Sequence, residues 1–260
     1  MASIKDAVEE CIKDNNSVIK FIIYAIPLFL CTQAIMSGNK VSGLLLAGII
    51  FTSILTLGYM LRCTMNVADE KTMTVLPSFN VFGVFFTGLK GAIVLLPIAI
   101  LSKLTGAFCV GLLAIAPLPP KLILVFSWII WIIFGSFVYT GYLMYTRRGK
   151  VFDAYNIAAI SKYCIDILIA VIFMKILVAI VDVILIVPVG YILWLFFGLT
   201  HPVSIFFLCL VSVFNISIMG HYLAQVAYEV IAIDEEEKAE DAKYAQMEKE
   251  RIEKLRNNGL

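Results

Sequence analysis

The sequence predicts an all-α, polytopic membrane protein with six transmembrane helices, and three observations lead to this prediction. Of the 260 residues, 61% are hydrophobic and only 15% are charged, which is too little polar surface for a soluble domain of this length. Apolar stretches of about 20 residues recur along the chain, and a helix of that length crosses the roughly 30 Å hydrocarbon core of a bilayer. If these stretches cross the membrane one after another, most lysines and arginines lie at the ends on one side, as expected for segments retained in the cytoplasm.

The first two spans form a hairpin that follows a short amphipathic segment. Residues 4–13 mix charged and apolar side chains and predict an interfacial helix. Residues 18–36 and 41–61 are apolar, and a glycine-containing turn separates them. Because the apolar run begins only near residue 18 and no small-residue cleavage site follows it, we expect the first span to be retained and not removed as a signal peptide.

The second pair of spans follows a polar loop. Phenylalanines recur at helical spacing in residues 78–90, which predicts a second interfacial helix. The third span lies within residues 91–117 and is expected to be kinked or broken, and residues 121–145 form the fourth. The residues expected to distort the third span are Pro97, Lys103 and Gly106.

The third pair of spans repeats this order. Residues 153–162 predict a third interfacial helix, and residues 163–187 predict a fifth span that Pro188 is expected to end. The sixth span covers residues 203–231. The charged residues 234–260 predict a helical cytoplasmic tail with several oppositely charged pairs at helical spacing.

The distribution of basic residues predicts the orientation. Sixteen of the twenty lysines and arginines lie before or in the first turn of span 1, follow span 6, or lie between spans 2 and 3 or spans 4 and 5. Since basic residues remain on the cytoplasmic side, both termini are predicted to be cytoplasmic.

A glycine followed by a ring-bearing residue closes three of the spans, at intervals of about 80 residues. These pairs are Gly58-Tyr59, Gly141-Tyr142 and Gly220-His221. They predict three tandem units, each an interfacial helix followed by a hairpin, in one common orientation. Chance recurrence is the alternative, because Gly-Tyr pairs are common at membrane interfaces. The predicted units cover residues 1–62, 78–148 and 152–231, within a transmembrane domain of residues 1–233.

Two sets of residues form a pattern that is known from other proteins. The first set is Gly58-Tyr59, Arg62, Leu76-Pro77, Phe79 and Gly88-Leu89-Lys90, and the second is Gly149, Ala154 and Tyr155. Through these residues the chain resembles, over roughly residues 43–231, the prokaryotic membrane family catalogued as domain of unknown function 4013. It departs from that family after the Leu-Pro pair, where Ser78, Asn80 and Phe82 replace the usual acidic residues and tryptophan. The resemblance implies the fold and a prokaryotic cytoplasmic membrane, and it implies no activity.

Charged residues inside the spans are the first candidates for a functional site. Lys103 lies in the third span, and Lys175 and Asp182 lie two helical turns apart on one face of the fifth. One interpretation is that the three line a polar midplane cavity that binds an anionic or zwitterionic group. The alternative is that they pair with one another or with backbone carbonyls and fix helix packing. Asp166 is expected to pair with Lys162, four residues before it.

The basic residues at the predicted cytoplasmic ends of the spans are candidates for contacts with anionic lipid headgroups. The alternative is that they only set the topology of the chain. These residues are Arg62, Lys90, Arg147, Arg148, Lys150 and Lys162.

The remaining sequence features limit the possible functions. The net charge of +1 gives no electrostatic basis for binding nucleic acid. The six cysteines are scattered, which predicts neither a metal site nor a disulfide framework. No catalytic motif occurs, so an enzyme is the least favoured class and no catalytic residue or cofactor is predicted.

We therefore expect a membrane scaffold or a lipid-interacting protein. The alternative is a transporter that carries a small solute or a lipid through a midplane polar cavity. Membrane lipids are the expected partners, and the tail at residues 234–260 is an alternative site for a protein partner.

Overall fold

The computed structural model describes residues 3–38, 42–68, 74–115 and 119–232, apart from the side chains of Arg148 and Leu185. Within these ranges the chain is helical apart from turns and short irregular segments, and it contains no β-strand. Six helices of this described part are long and apolar enough to cross a membrane, which confirms the predicted fold class. The α-helices are α1 (Ile4–Lys13), α2 (Ser17–Met36), α3 (Gly43–Ala68), α4 (Val81–Ile115), α5 (Pro120–Arg148), α6 (Ile157–Phe197) and α7 (Pro202–Ala227).

Helix α1 is separate from the long helices and packs against α7 and α2. The hydroxyl of Ser3 accepts the backbone N–H of Asp6 at 3.3 Å and caps the helix. Its apolar face is covered, since Ala7 and Cys11 are fully buried. The helix predicted over residues 4–13 is therefore confirmed.

The long helices form three hairpins, α2–α3, α4–α5 and α6–α7, which place the helix ends in two groups. We call the first group the α1 end of the bundle. It holds α1, the N-termini of α2, α4 and α6, and the C-termini of α3, α5 and α7. The hairpins turn at the opposite end.

Helix α4 is continuous over 35 residues. The prediction of a separate interfacial helix at residues 78–90 is therefore wrong. Of the kink or break predicted within residues 91–117, the break does not occur. The side chain of Asn80 accepts the backbone N–H of Gly83 at 2.9 Å, so the helix begins directly after this residue.

Pro97 and Gly106, two of the residues expected to distort the third span, are accommodated within the continuous helix α4. Pro97 forfeits one helical hydrogen bond, whereas a break within hydrocarbon would leave several backbone groups without partners. The hydroxyl of Tyr155 donates to the Val94 carbonyl at 2.8 Å, within the turn that precedes this proline. Gly106 allows close packing on α5, because a Cβ there would lie 3.0 Å from the Trp131 ring.

Helix α6 begins later than its predicted interfacial helix. Residues Asp153–Tyr155 form a single 3₁₀ turn. The side chain of Asn156 then accepts the backbone N–H of Ala159 at 3.2 Å and starts the long helix. The separate helix predicted at residues 153–162 is therefore wrong.

Helix α6 also ends later than predicted. It covers 41 residues and contains Pro188 in its interior, so the prediction that Pro188 ends this helix is wrong. Continuing the helix keeps the surrounding backbone groups hydrogen-bonded in a setting without water. It ends at Gly198, whose φ of 80° is readily adopted only by glycine. Near this end the rings of Tyr191 and Trp194 lie 5.7 Å apart.

Helices α3 and α7 occupy the centre of the bundle, since each packs against α2, α5 and the other. Glycine also permits a close approach between α3 and α4. A Cβ on Gly58 would lie 2.0 Å from the Val84 carbonyl oxygen, and a Cβ on Gly88 would lie 2.0 Å from that of Ile54. Small residues at such crossings let helix backbones approach closely in a membrane.

Some of the predictions concern residues outside the described ranges. These are the charged tail at residues 234–260 and, among the other lysines and arginines counted for the orientation, Lys40 and Lys71. The tandem repeat stays a prediction. Its first unit has a separate interfacial helix, whereas the corresponding residues 81–90 and 157–162 form the first turns of α4 and α6.

Candidate functional site

A groove of about 800 Å³ lies between α6 and α7 at the α1 end of the bundle. Helix α6 contributes one residue per turn to its apolar wall, Ile169, Phe173 and Leu177. Helix α7 contributes Tyr222 and, one turn later, Val226. We call this space the α6–α7 groove.

The antiparallel pairing of α6 and α7 brings these residues together. Deeper in the bundle, the amide of Asn215 donates a hydrogen bond to the Asp182 carboxylate and fixes the register of the two helices. Tyr222 and Val226 are buried and form the floor of the groove. Ile169 and Phe173 are 51% and 57% exposed, so the groove opens sideways at the surface that faces the bilayer.

Charges of both signs surround the end of the groove nearest α1, which we call the mouth. Lys162 and Asp166 lie four residues apart on one face of α6. The Lys162 ammonium group lies 5.0 Å from the centroid of the Tyr163 ring. Glu229 lies across from them, in a π-helical turn formed by Tyr228–Ala232 that continues α7. The mouth therefore combines one ammonium group with two carboxyl groups.

The length of the groove matches one leaflet of a bilayer. Lys162 and Leu177 lie about 22 Å apart along the helix axis at 1.5 Å per residue. Half of a bilayer, including its headgroups, is about 20–22 Å thick. A phospholipid with its headgroup at the mouth would therefore reach the inner end of the apolar wall with its acyl chains.

Two smaller pockets lie elsewhere in the described part of the chain. An apolar pocket of about 370 Å³ is bounded by α4, α5 and the start of α6, and Pro97 and Tyr155 line it. A polar pocket of about 170 Å³ lies at the α1 end between Arg62 and the start of α4. The Arg62 guanidinium donates a hydrogen bond to the Thr87 hydroxyl at 2.9 Å.

A chain of hydrogen bonds attaches α1 to α7. The backbone N–H of Ser3 donates to Oε1 of Gln225 at 2.6 Å, which directs the amide NH₂ of Gln225 towards Nδ1 of His221, 3.1 Å away. Nδ1 therefore acts as an acceptor, and Nε2 carries the proton that faces the Glu10 carboxylate at 2.6 Å. Because His221 is buried, this chain holds α1 in one position against the bundle.

The other ring residues of the predicted repeat also make buried contacts between helices. The Tyr59 hydroxyl lies 2.9 Å from the Ser217 hydroxyl, between α3 and α7. The Tyr142 hydroxyl lies 2.6 Å from the Thr64 hydroxyl, which in turn donates to the Gly220 carbonyl at 3.0 Å. Tyr59, Tyr142 and His221 therefore each connect helices. The sequence predicts their regular spacing but not this role.

The three residues expected in a midplane cavity contact different partners. The Lys103 ammonium group lies 5.9 Å from the Trp131 ring, and the Lys175 ammonium group lies 5.7 Å from the Tyr139 ring. Asp182 accepts the hydrogen bond from Asn215. None of these contacts joins two of the three residues, and none of the three lines the pockets described above.

The six basic residues expected at lipid headgroups are distributed around the α1 end. Lys162 lines the α6–α7 groove, and Arg62 lines the small polar pocket. Lys90 and Lys150 are exposed, and Arg147 is half-buried. The side chain of Arg148 lies outside the described part of the structure. Of the groove's three charged residues, sequence reasoning selected Lys162, noted Asp166 only as its pairing partner and missed Glu229.

Comparison with protein-family models, curated proteins and solved structures finds no match to this chain. The function of the α6–α7 groove therefore has to be argued from its own residues and dimensions.

Proposed function

We propose that this integral membrane protein is a lipid-interacting protein and that it binds a phospholipid in the α6–α7 groove. One observation carries the proposal: the groove combines a charged mouth with an apolar wall over the thickness of one leaflet. That arrangement matches a phospholipid, which has a charged headgroup and apolar chains.

Shape and headgroup contacts have to provide the affinity. Within a bilayer, an acyl chain gains no hydrophobic free energy by leaving other lipids, because the surrounding chains are equally apolar. A bound chain gains contacts with the fixed walls of the groove, and the headgroup gains hydrogen bonds and ion pairs at the mouth. The proposal accordingly requires both parts of the groove.

The transporter alternative needs a different arrangement. It requires Lys103, Lys175 and Asp182 to share one cavity, whereas their separate contacts with Trp131, Tyr139 and Asn215 support a role in helix packing. We therefore prefer lipid binding, and we propose no catalytic reaction for this site.

A substitution that fills the groove tests the proposal. Ala170 lies among the lining residues, so Ala170→Trp places an indole where the acyl chains would lie. We expect the purified variant to retain fewer phospholipids than the wild-type protein, as counted by native mass spectrometry after release from detergent.

The control is Ala179→Trp, which adds the same side chain at an exposed position of α6 outside the groove. It should retain as many lipids as the wild type. Thermal unfolding in the same detergent verifies that both variants are folded, and Phe173→Ala removes acyl contacts without adding bulk if Ala170→Trp unfolds. Undiminished lipid retention in folded Ala170→Trp or Phe173→Ala protein would refute the proposal.

A further inference from the structure

We infer that the α6–α7 groove selects a zwitterionic phospholipid whose headgroup carries a primary ammonium group as well as its phosphate. This inference rests on the proposed function, since it specifies the headgroup of the lipid proposed there. It differs from the expectation that the basic residues of this end bind anionic lipids.

The charges at the mouth favour a headgroup that carries both signs. Lys162 supplies one positive charge, whereas Asp166 and Glu229 supply two negative ones. A purely anionic headgroup held by Lys162 would also lie beside the two carboxylates, which repel it. A headgroup with a phosphate and an ammonium group offers a partner of opposite charge to each of the three residues.

The positions of the charged residues fit a headgroup that lies across the mouth. Lys162 and Asp166 belong to α6, and Glu229 belongs to the π-helical turn on the other side of the groove. A phosphate beside Lys162 places the attached ammonium group within the space bounded by the two carboxylates. The headgroup would therefore bridge α6 and the end of α7.

The carboxylates also favour a primary ammonium group over a quaternary one. A primary ammonium group donates up to three hydrogen bonds, and carboxylates are acceptors with several lone pairs. A quaternary ammonium group donates none and is typically held against exposed aromatic faces. Tyr163 and Tyr222, the aromatic residues at the mouth, are each only 6% exposed and form its floor rather than an open cage.

Lipid competition tests the headgroup preference. The protein is reconstituted in nanodiscs with equal amounts of phosphatidylethanolamine, phosphatidylcholine and phosphatidylglycerol that share the same acyl chains. We expect native mass spectrometry to show retention of phosphatidylethanolamine over each of the other two by roughly tenfold, as for a gain of charge-assisted hydrogen bonds.

Neutral variants identify the residues responsible. The double substitution Asp166→Asn with Glu229→Gln should remove the preference over phosphatidylcholine and increase the retention of phosphatidylglycerol. Lys162→Gln should weaken the retention of both zwitterionic lipids. Asp6→Asn, on the exposed face of α1, removes one negative charge away from the groove and should leave the preference unchanged.

The possible outcomes separate this inference from the proposed function. Retention that Ala170→Trp abolishes but that is equal for all three lipids, or greatest for phosphatidylglycerol, overturns the headgroup inference and leaves lipid binding in place. A preference for phosphatidylethanolamine that survives the double substitution also overturns it. Retention of no lipid, or retention that folded Ala170→Trp leaves unchanged, refutes the proposed function itself.

Discussion

Single polar residues at the α1 end hold the amino-terminal segment against the bundle. The Lys20 ammonium group lies 2.5 Å from Oδ1 of Asp14, and both side chains are buried. The second carboxylate oxygen of Asp14 accepts the backbone N–H of Leu76 at 2.8 Å. One carboxylate therefore joins the α1–α2 turn to the chain segment between α3 and α4.

Breaking this ion pair is expected to destabilise the protein. Asp14→Ala leaves the Lys20 ammonium group buried without its partner, which should lower the free energy of unfolding by about 3–5 kcal/mol. Thermal or detergent-induced unfolding of the purified protein measures this change.

The matched control for Asp14→Ala is Glu9→Ala in α1. Glu9 forms an exposed ion pair with Lys13, which lowers the pKa of the Glu9 carboxyl group from its ordinary value. Because water solvates both of these groups, their separation should leave the unfolding transition unchanged. Equal shifts for Asp14→Ala and Glu9→Ala would contradict the role given to the buried pair.

Sequence reasoning at this scale could identify residue types but not their partners. Lys162 was recognisable as a headgroup contact because it follows a basic loop and precedes an apolar span. Glu229 lies near the end of an apolar span. Its isolation there as an acidic residue is the only feature of the sequence that could have marked it as part of a site. The groove itself was not predictable, since it depends on which faces of α6 and α7 meet.

Individual helices differ in how far the sequence determines their limits. The presence of six spans follows from hydrophobic length alone, and the structure confirms it. The break expected within α4 and the end expected for α6 at Pro188 both assign a proline the effect that it has in water. In hydrocarbon, the need to pair every backbone group favours a continuous helix with a single missing bond.

Contact between α3 and α4 depends on two facing glycines. In Gly88→Ala the new methyl group would overlap the Ile54 carbonyl oxygen on α3, so the two backbones have to separate. We expect this to lower the free energy of unfolding by about 1–3 kcal/mol, as for other overpacked sites. The same unfolding measurement in detergent tests this expectation.

Gly111→Ala is the control for this substitution, because it lies on the same helix with no atom within 4 Å of a new Cβ. There the gain in helix propensity should leave stability unchanged or raise it by about 0.5–1 kcal/mol. If Gly88→Ala were as stable as Gly111→Ala, the crossing would not require glycine.

The whole molecule has an even number of predicted crossings, which places both ends of the spanning region on one side. The basic residues predict that this side, the α1 end, is cytoplasmic. Single cysteines that replace Lys5 or Lys150 should therefore react with a membrane-impermeant maleimide only from the cytoplasmic face. A cysteine that replaces Ser42, next to the α2–α3 turn, should react only from the other face. Labelling of positions 5 and 150 from opposite faces would contradict six crossings.

We expect Tyr191 and Trp194, the ring pair near the end of α6, to fix the depth of the proposed lipid site in the membrane. Along α6, Trp194 lies about 42 Å from Asp166 and about 48 Å from Lys162, which is comparable to the 40–45 Å between the outer limits of the two headgroup layers if α6 is tilted. Aromatic side chains of this kind anchor at the membrane surface. A bilayer with shorter acyl chains cannot keep both levels in register unless α6 tilts further or the surrounding lipids stretch. Hydrophobic thickness therefore determines whether the charged residues of the groove remain level with the headgroups they would bind.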